Sequence, residues 1–168
     1  MILKRSEING YPAIYIFSTY FFQQLLSSNL EKTINYFDKK GLKLDQYEMI
    51  LIPFNTDCHW SLIQVNIQTN TIYYYDSLRS ICENLIEPLV KLFSNIKNKY
   101  NSFRLVDNED WTIKTIPCPK QKNNNDCGVF VLRFMESISM NKPFNFCQED
   151  MEYLRIVIGI ELVKGSLL

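Results

Sequence analysis

Three short segments rich in β-branched and aromatic residues follow one another, and they restrict the fold more than any other feature of the sequence. They are Tyr47–Phe54, His59–Ile67 and Thr71–Asp76, and turn residues separate them. The last two are joined by residues 68–70 (Gln-Thr-Asn), which is the length of a hairpin connection. We therefore predict three consecutive antiparallel strands at the centre of the molecule.

On both sides of this block, apolar residues recur at the spacing of a helix. The predicted helices are Phe17–Leu26, Leu30–Lys39, Asn84–Tyr100, Gly128–Ser139 and Gln148–Lys164. One further strand is predicted over Trp111–Ile116, where Pro117 follows as a breaker. The fold class is therefore α+β, with a central, mainly antiparallel sheet flanked by helices, and residues 1–168 are expected to form a single domain.

Composition favours a folded domain and leaves its partner open. Hydrophobic residues make up 46% of the chain, and 18 basic residues balance 18 acidic ones, so no net field attracts nucleic acid or a membrane. The five cysteines lack the paired spacing of a zinc knuckle or a redox motif, and the amino terminus does not resemble a signal peptide. We expect free thiols in an intracellular setting, nuclear or cytoplasmic, and neither a metal nor a cofactor.

The single histidine, His59, begins one predicted strand, and Asp76 ends the next. Antiparallel pairing would place the two side by side, so the carboxylate could hydrogen-bond Nδ1 and leave Nε2 to act as a base. Each residue also has a simpler interpretation. A lone histidine is often structural, and Asp76 could cap the following turn.

Cys127 begins a predicted apolar helix after four polar residues, 123–126. The unpaired N–H groups of a helix start favour the thiolate of a cysteine placed there. Gly128 leaves room for a substrate backbone close to the sulfur. The alternative is an ordinary core cysteine, which rarely follows so polar a loop.

Gln121 lies six positions before Cys127, in the same polar loop. Its side-chain amide could donate to a tetrahedral oxyanion beside the backbone N–H of Cys127, although a solvent-facing glutamine is the alternative. With His59 and Asp76, these residues supply a nucleophile, a base, an orienting carboxylate and an oxyanion donor. The combination is typical of a cysteine protease.

Three strings carry a resemblance to a known family. They are Cys-His-Trp-Ser-Leu at 58–62, Tyr-Tyr-Asp-Ser-Leu at 74–78 and Pro-Lys-Gln-Lys-Asn-Asn-Asn-Asp-Cys-Gly at 119–128. In type, order and approximate spacing they resemble the motifs of the ubiquitin-like-protein-specific (sentrin or SUMO) cysteine proteases. The resemblance spans roughly residues 14–162. It implies a cysteine-proteinase-like fold with the nucleophile at a helix amino terminus.

The resemblance also implies residue roles and a substrate. The roles of base, orienting carboxylate, oxyanion donor and nucleophile would fall on His59, Asp76, Gln121 and Cys127. Trp60 would cover a narrow tunnel that admits two glycines, and we expect Trp60, Asp126 and Gly128 to contact the substrate. The implied activity is (iso)peptidase cleavage after the Gly-Gly end of SUMO or another ubiquitin-like modifier, in precursor processing or deSUMOylation. The implied partners are that modifier and its conjugates.

Two departures from the family pattern bear on this hypothesis. No tryptophan precedes Trp60, whereas family members usually carry an upstream tryptophan as the other wall of the tunnel, so we expect this chain to lack that segment. Lys120 stands where the family often has a second glutamine. Three alternatives stay open: a deubiquitinase, an acetyltransferase that uses the same triad, or a degenerate module that binds a modifier without cleaving it.

Overall fold

A five-stranded sheet forms the centre of the molecule, and its strands lie side by side in the order in which they occur along the chain. The computed structural model describes residues 1–7, 10–27, 30–56, 58–78, 83–100 and 111–168. The strands are β1 (Ile14–Ile16), β2 (Met49–Thr56), β3 (His59–Asn66), β4 (Thr71–Tyr75) and β5 (Thr112–Thr115).

Helices cover both faces of this sheet. In the described part of the chain they are α1 (Ile2–Ser6), α2 (Phe21–Ser27), α3 (Leu30–Lys40), α4 (Glu83–Tyr100), α5 (Cys127–Ser139) and α6 (Met151–Lys164). Short 3-10 helices occupy Leu44–Gln46 and Gln148–Asp150. Gly41 ends α3 at φ 61°, a backbone conformation in which other residues are strained. None of the described helices is both long and apolar enough to cross a bilayer.

The direction of strand pairing confirms an antiparallel centre and adds a parallel strand at each edge of the sheet. The three central strands are antiparallel as predicted, but β1 runs parallel to β2, and β5 runs parallel to β4. The cause lies in the connections. Helices α2 and α3 separate β1 from β2, α4 separates β4 from β5, and a helical crossover returns the chain in its original direction. The sheet is therefore mixed.

The amino-terminal part of the fold differs most from the sequence prediction. The helix predicted to begin at Phe17 begins at Phe21, because Ile14–Ile16 forms β1 and the next residue still follows the sheet edge. The backbone N–H of Phe17 donates to the carbonyl of Leu51 at 3.0 Å. The Phe17 ring stacks on Phe21 with centroids 3.8 Å apart, which fixes the start of α2.

Strand alternation builds a separate core on each face of the sheet. Ile63 and Val65 of β3 face the core made with α2, α3 and α4, whereas Leu62, the residue before Ile63, faces the core made with α5 and α6. Phe130 and Phe134 of α5 are fully buried in this second core. Helix α5 therefore lies against β3, and its first turn reaches the end of the sheet at which β3 begins.

Candidate active site

His59 and Asp76 meet at one end of the sheet. His59 is the first residue of β3, Asp76 follows β4, and antiparallel pairing brings the start of one strand beside the end of the other. The imidazole Nε2 lies 2.8 Å from Asp76 Oδ1. Both side chains are buried, with 6% and 3% of their surface exposed. The expected imidazole–carboxylate contact is therefore present.

The nitrogen that makes this contact corrects the prediction, which assigned it to Nδ1. Leu62 pairs with Tyr75, so Asp76 comes opposite Ser61, and His59 lies two residues farther along the same face. Such diagonal neighbours are roughly 7–8 Å apart. The distal nitrogen of the ring spans that distance, and the proximal one does not. Nε2 is thus held by the carboxylate, and Nδ1 is left for proton exchange with a thiol.

Three further donors among the described residues fix the Asp76 carboxylate. Tyr74 Oη and Ser61 Oγ donate to Oδ2 at 2.7 and 2.9 Å, and the backbone N–H of Leu78 donates to Oδ1 at 2.7 Å. The Leu78 bond is the turn cap considered above, but the same oxygen also contacts His59. The carboxylate therefore stabilises the turn and orients the imidazole at once.

Sequence reasoning missed Tyr74 and Ser61, although strand periodicity contains the signal that finds them. Tyr74 precedes Asp76 by two residues and Ser61 follows His59 by two, so each pair shares one face of its strand. Polar side chains on a face that is otherwise apolar need partners when buried. A hydroxyl two residues from a proposed catalytic group is therefore a candidate partner for it.

Cys127 is the first residue of α5 and a free thiol, with 5% of its surface exposed. The next residue, Gly128, faces Trp60, since a methyl group placed on this glycine would lie 3.6 Å from Trp60 Cδ1. Trp60 follows His59 in β3, so the first turn of α5 packs against the start of the strand that carries the imidazole. Within the described residues no hydrogen bond joins Cys127 Sγ to the ring, and such bonds often tighten only when substrate binds.

We expected Asp126 to contact the substrate, but its carboxylate is hydrogen-bonded to other residues of the protein. Arg155 donates to Oδ1 from Nε and Nη2 at 3.1 and 2.5 Å, while Asn123 and Gln148 donate to Oδ2 at 2.6 and 2.7 Å. Burial raises the pKa of this carboxyl, but the hydrogen bonds and the Arg155 charge outweigh burial and hold the pKa below its usual value. The side chain anchors the loop before Cys127 to α6, and substrate contact by Asp126 stays a prediction.

Gln121 is buried, with 6% of its surface exposed, so the alternative of a solvent-facing loop glutamine is wrong. Its Oε1 accepts a hydrogen bond from Ser77 Oγ at 2.6 Å, and its backbone N–H donates to the Ser77 carbonyl at 2.8 Å. Its Nε2 donates to the carbonyl of Asn123 at 2.5 Å. An amide nitrogen carries two hydrogens, so this bond uses one of them.

The segment before Gln121 is attached to the end of β4 through the backbone of Asp76. Lys120 Nζ and Cys118 Sγ both donate to the Asp76 carbonyl, at 2.7 and 3.2 Å. Burial raises the pKa of the Cys118 thiol, so it remains a neutral donor. Lys120, the departure from the family pattern, therefore holds the segment that carries Gln121 against the turn that carries Asp76.

A groove of about 810 Å³ opens beside the thiol. Cys127, Gly128 and Trp60 lie along one part of it, and apolar side chains such as Met135 and Ile158 line the rest. Trp60 is half-buried, because one part of the indole packs on the second core and another part faces the groove. The indole therefore contributes to the second core and to the wall of the groove. A tunnel limited to glycine stays a prediction.

A thiol at the start of a helix, packed against the strand whose imidazole is fixed by a carboxylate, suits the chemistry of a cysteine protease. Comparison with known proteins then gives the family. Residues 3–162 match the Ulp1 protease family, C-terminal catalytic domain, and the chain belongs to that family.

Known relatives align with nearly the whole of this chain, and they are several times longer than it. Sentrin-specific protease 2 of Homo sapiens is 31% identical over 173 residues, which cover 100% of this chain and 28% of that protein. Sentrin-specific protease 5 of Homo sapiens is 30% identical over 156 residues, which cover 92% of this chain and 20% of that protein. The chain thus spans less than a third of the length of these relatives.

Solved structures share the fold. The catalytic domain of a Ulp1-like SUMO protease from Chaetomium thermophilum superposes with a TM-score of 0.79 at 21% identity, covering 98% of this chain and 66% of that one. The C-terminal Ulp1 protease domain in complex with Smt3, the yeast ortholog of SUMO, superposes with a TM-score of 0.77 at 22% identity, covering 97% and 73%. The predicted cysteine-proteinase-like fold is confirmed.

Proposed function

We propose that this chain is the catalytic domain of a cysteine (iso)peptidase that cleaves after the C-terminal Gly-Gly of SUMO or a related ubiquitin-like modifier. The observation that carries the proposal is the buried contact of 2.8 Å between His59 Nε2 and Asp76 Oδ1, beside the helix that begins with Cys127. The named relatives are sentrin-specific proteases, and a solved Ulp1 domain holds Smt3, which supports this choice of substrate class.

In the first half of the reaction, His59 Nδ1 takes the proton of the Cys127 thiol, and the sulfur attacks the carbonyl carbon of the terminal glycine. The oxyanion that forms accepts hydrogen bonds from the Cys127 backbone N–H and the Gln121 amide. When the C–N bond breaks, the imidazolium gives its proton to the leaving amine. The modifier is then bound to the enzyme as a thioester.

In the second half, a water molecule replaces the leaving amine. His59 takes a proton from this water as it attacks the thioester, and the same donors hold the second oxyanion. The C–S bond breaks, the sulfur regains its proton, and the modifier leaves with a free carboxylate. Throughout, the Asp76 carboxylate keeps the ring in one orientation and stabilises the imidazolium that forms in each half.

A reducing intracellular compartment, nuclear or cytoplasmic, suits this chemistry. Cys58, Cys118, Cys127 and Cys147 are free thiols, and Cys82 lies outside the described residues. The mechanism consumes no oxidant or reductant, and it requires Cys127 to stay unoxidised. Exposed thiols such as Cys58 and Cys147 persist where the redox poise keeps cysteines reduced.

The first test uses SUMO, ubiquitin and other ubiquitin-like modifiers, each with an electrophile in place of its terminal carboxylate. We expect the wild-type protein to form a covalent adduct with a SUMO probe and Cys127→Ser to form none, as seen by a mass shift on a denaturing gel. Cys147→Ser is the matched control, since it removes an exposed thiol elsewhere and should leave the adduct unchanged.

The other outcomes of this test separate the alternatives. An adduct with the ubiquitin probe alone would identify a deubiquitinase. Folded protein that binds a modifier but forms no adduct would identify a non-enzymatic module. An adduct that persists in Cys127→Ser would show that the nucleophile is another residue.

A further inference from the structure

Ser77 is a buried residue to which neither the sequence patterns nor the mechanism above gives a task. It follows Asp76 directly, and 1% of its surface is exposed. Its hydroxyl donates to Gln121 Oε1 at 2.6 Å, and its carbonyl accepts the Gln121 backbone N–H at 2.8 Å. Two bonds of different kinds therefore join Ser77 to one glutamine that lies 44 positions away.

The side-chain bond matters because an amide has two ends of similar shape and opposite polarity. If the Gln121 amide rotated by half a turn, Oε1 would take the position of Nε2. The oxyanion would then meet an acceptor instead of a donor. The Ser77 hydroxyl holds Oε1, and the Asn123 carbonyl can only accept, so it holds Nε2. The amide is thus fixed from both ends, in a single orientation.

We propose that Ser77 is a positioning residue of this enzyme, whose hydroxyl holds the Gln121 amide in place for the oxyanion, in the orientation that the Asn123 carbonyl selects. The proposal rests on the proposed function, because it requires Gln121 to act in a tetrahedral intermediate. Ser77 itself touches no reacting atom. It acts through Gln121, as Asp76 acts through His59.

Asp76 and Ser77 are adjacent in sequence, and each would hold a different group of the mechanism. The carboxylate of Asp76 fixes the imidazole that moves the proton, and the hydroxyl of Ser77 fixes the amide that receives the negative charge. A single turn of backbone after β4 carries both, and Leu78 N closes that turn on Asp76 Oδ1. The base and the oxyanion donor are thereby held at a fixed distance from each other.

The proposal predicts a loss in the chemical step without a loss in binding. For Ser77→Ala we expect kcat to fall roughly 10-fold, because one hydrogen bond to a neutral group is lost. For Gln121→Ala we expect a fall of roughly 10²–10³-fold, because the donor itself is lost. KM should change by less than about 2-fold in both variants, because the proposed bond forms only in the transition state.

A double-mutant cycle tests the connection between the two residues, with SUMO that carries a C-terminal aminocoumarin amide as substrate. Once Gln121→Ala has removed the amide, adding Ser77→Ala should lower kcat no further. Ser77→Thr keeps a hydroxyl and should restore most of the rate. The pH profile of kcat/KM should be the same in Ser77→Ala and wild type, since the His59–Asp76 pair is untouched.

Several results would overturn the proposal. Equal losses from Ser77→Ala in the wild-type and Gln121→Ala backgrounds would show that the hydroxyl does not act through the amide. A change confined to KM, or a displaced pH profile, would contradict it as well. If Ser77→Ala does not fold, Ser77→Cys takes its place, and a rate equal to wild type with this weak donor would count against the hydroxyl. Wild-type protein that neither turns over the substrate nor forms the Cys127 adduct would instead refute the proposed function.

Discussion

Two buried aspartates belong to the candidate active site, and their carboxylates are used in different ways. Among the described residues, Asp76 accepts hydrogen bonds from His59, two hydroxyls and a backbone N–H, and none of these groups carries a permanent charge. Asp126 accepts hydrogen bonds from two amides and from the Arg155 guanidinium, which is always charged. Only the first carboxylate contacts a group that can exchange a proton.

The comparison shows that burial and full hydrogen bonding do not by themselves identify a catalytic carboxylate. Both side chains are at most 5% exposed. Asp126 compensates a charge that is present throughout, which stabilises the loop before Cys127. In the proposed mechanism, Asp76 compensates a charge that appears on His59 only during the reaction. The role of each carboxylate should therefore depend on the group that it contacts. Substitutions that keep the shape of each side chain can separate the structural role of Asp126 from the proposed catalytic role of Asp76.

The largest expected effect is that of Asp76→Asn. The amide keeps the size of the side chain, but it offers the imidazole a different hydrogen-bonding pattern and no negative charge, so the ring favours the wrong tautomer. We expect kcat to fall roughly 10³–10⁴-fold, close to the effect of this change in serine proteases. The melting temperature should change little. A rate within about 10-fold of wild type would show that Asp76 is only a turn cap.

Asp126→Asn should have the opposite profile, with a larger effect on stability than on rate. The variant leaves the Arg155 guanidinium without its charged partner, and we expect the free energy of unfolding to fall by about 1–3 kcal/mol. The Arg155 side chain is half-exposed, so water compensates part of the loss. We expect kcat to stay within about 10-fold, measured beside urea unfolding curves.

Glu149→Gln provides the matched control for Asp126→Asn. This residue belongs to the same part of the chain, but its carboxylate pairs with Lys122 at the surface, where an ion pair contributes little. Neither stability nor rate should change measurably. If Asp126→Asn lowered kcat as strongly as Asp76→Asn, the distinction between the two carboxylates would fail.

The smallest expected effect is a dependence of stability on acid pH. The pKa of Asp126 is lower in the folded protein than its usual value of 3.8, so the unfolded chain binds the proton more readily. The stabilisation is therefore complete above about pH 4 and is lost as the pH falls through the folded-state pKa. The stability difference between wild type and Asp126→Asn should narrow below about pH 4. A constant difference from pH 6 to pH 3 would contradict the shift.

The central part of the fold could be predicted from the sequence because its patterns are long enough to be distinct. The strands from β2 to β4, the helix α4 and the start of α5 at Cys127 all follow from periodicity and turn residues. Strand β1 escaped prediction because Ile14–Ile16 is too short to show alternation, and its aromatic neighbours merge with the next helix. The parallel edges depend on how helices return the chain to the sheet, which no local pattern records.

Sequence reasoning selected the residues of the candidate site but did not predict which of their atoms meet. His59, Asp76, Gln121 and Cys127 carry unusual side chains at interpretable positions, which is why they could be chosen. The orientation of the imidazole depends on the register of β3 against β4, so the assignment of Nδ1 was wrong. The anchoring bonds of Asp126 come from Arg155, 29 positions away, and sequence spacing does not reveal such a partner.

The order of the catalytic groups along the chain has a consequence for connectivity. His59 and Asp76 lie before α4, and Gln121 and Cys127 lie after it. The two parts meet at the parallel ladder of β4 with β5 and where α5 packs on β3. A polypeptide cut between positions 100 and 111 would yield two fragments, each with an incomplete set of groups. Neither could act alone, so turnover on mixing would directly measure reconstitution. The domain is thereby suited to serve as a split reporter in which cleavage signals that two fragments have met.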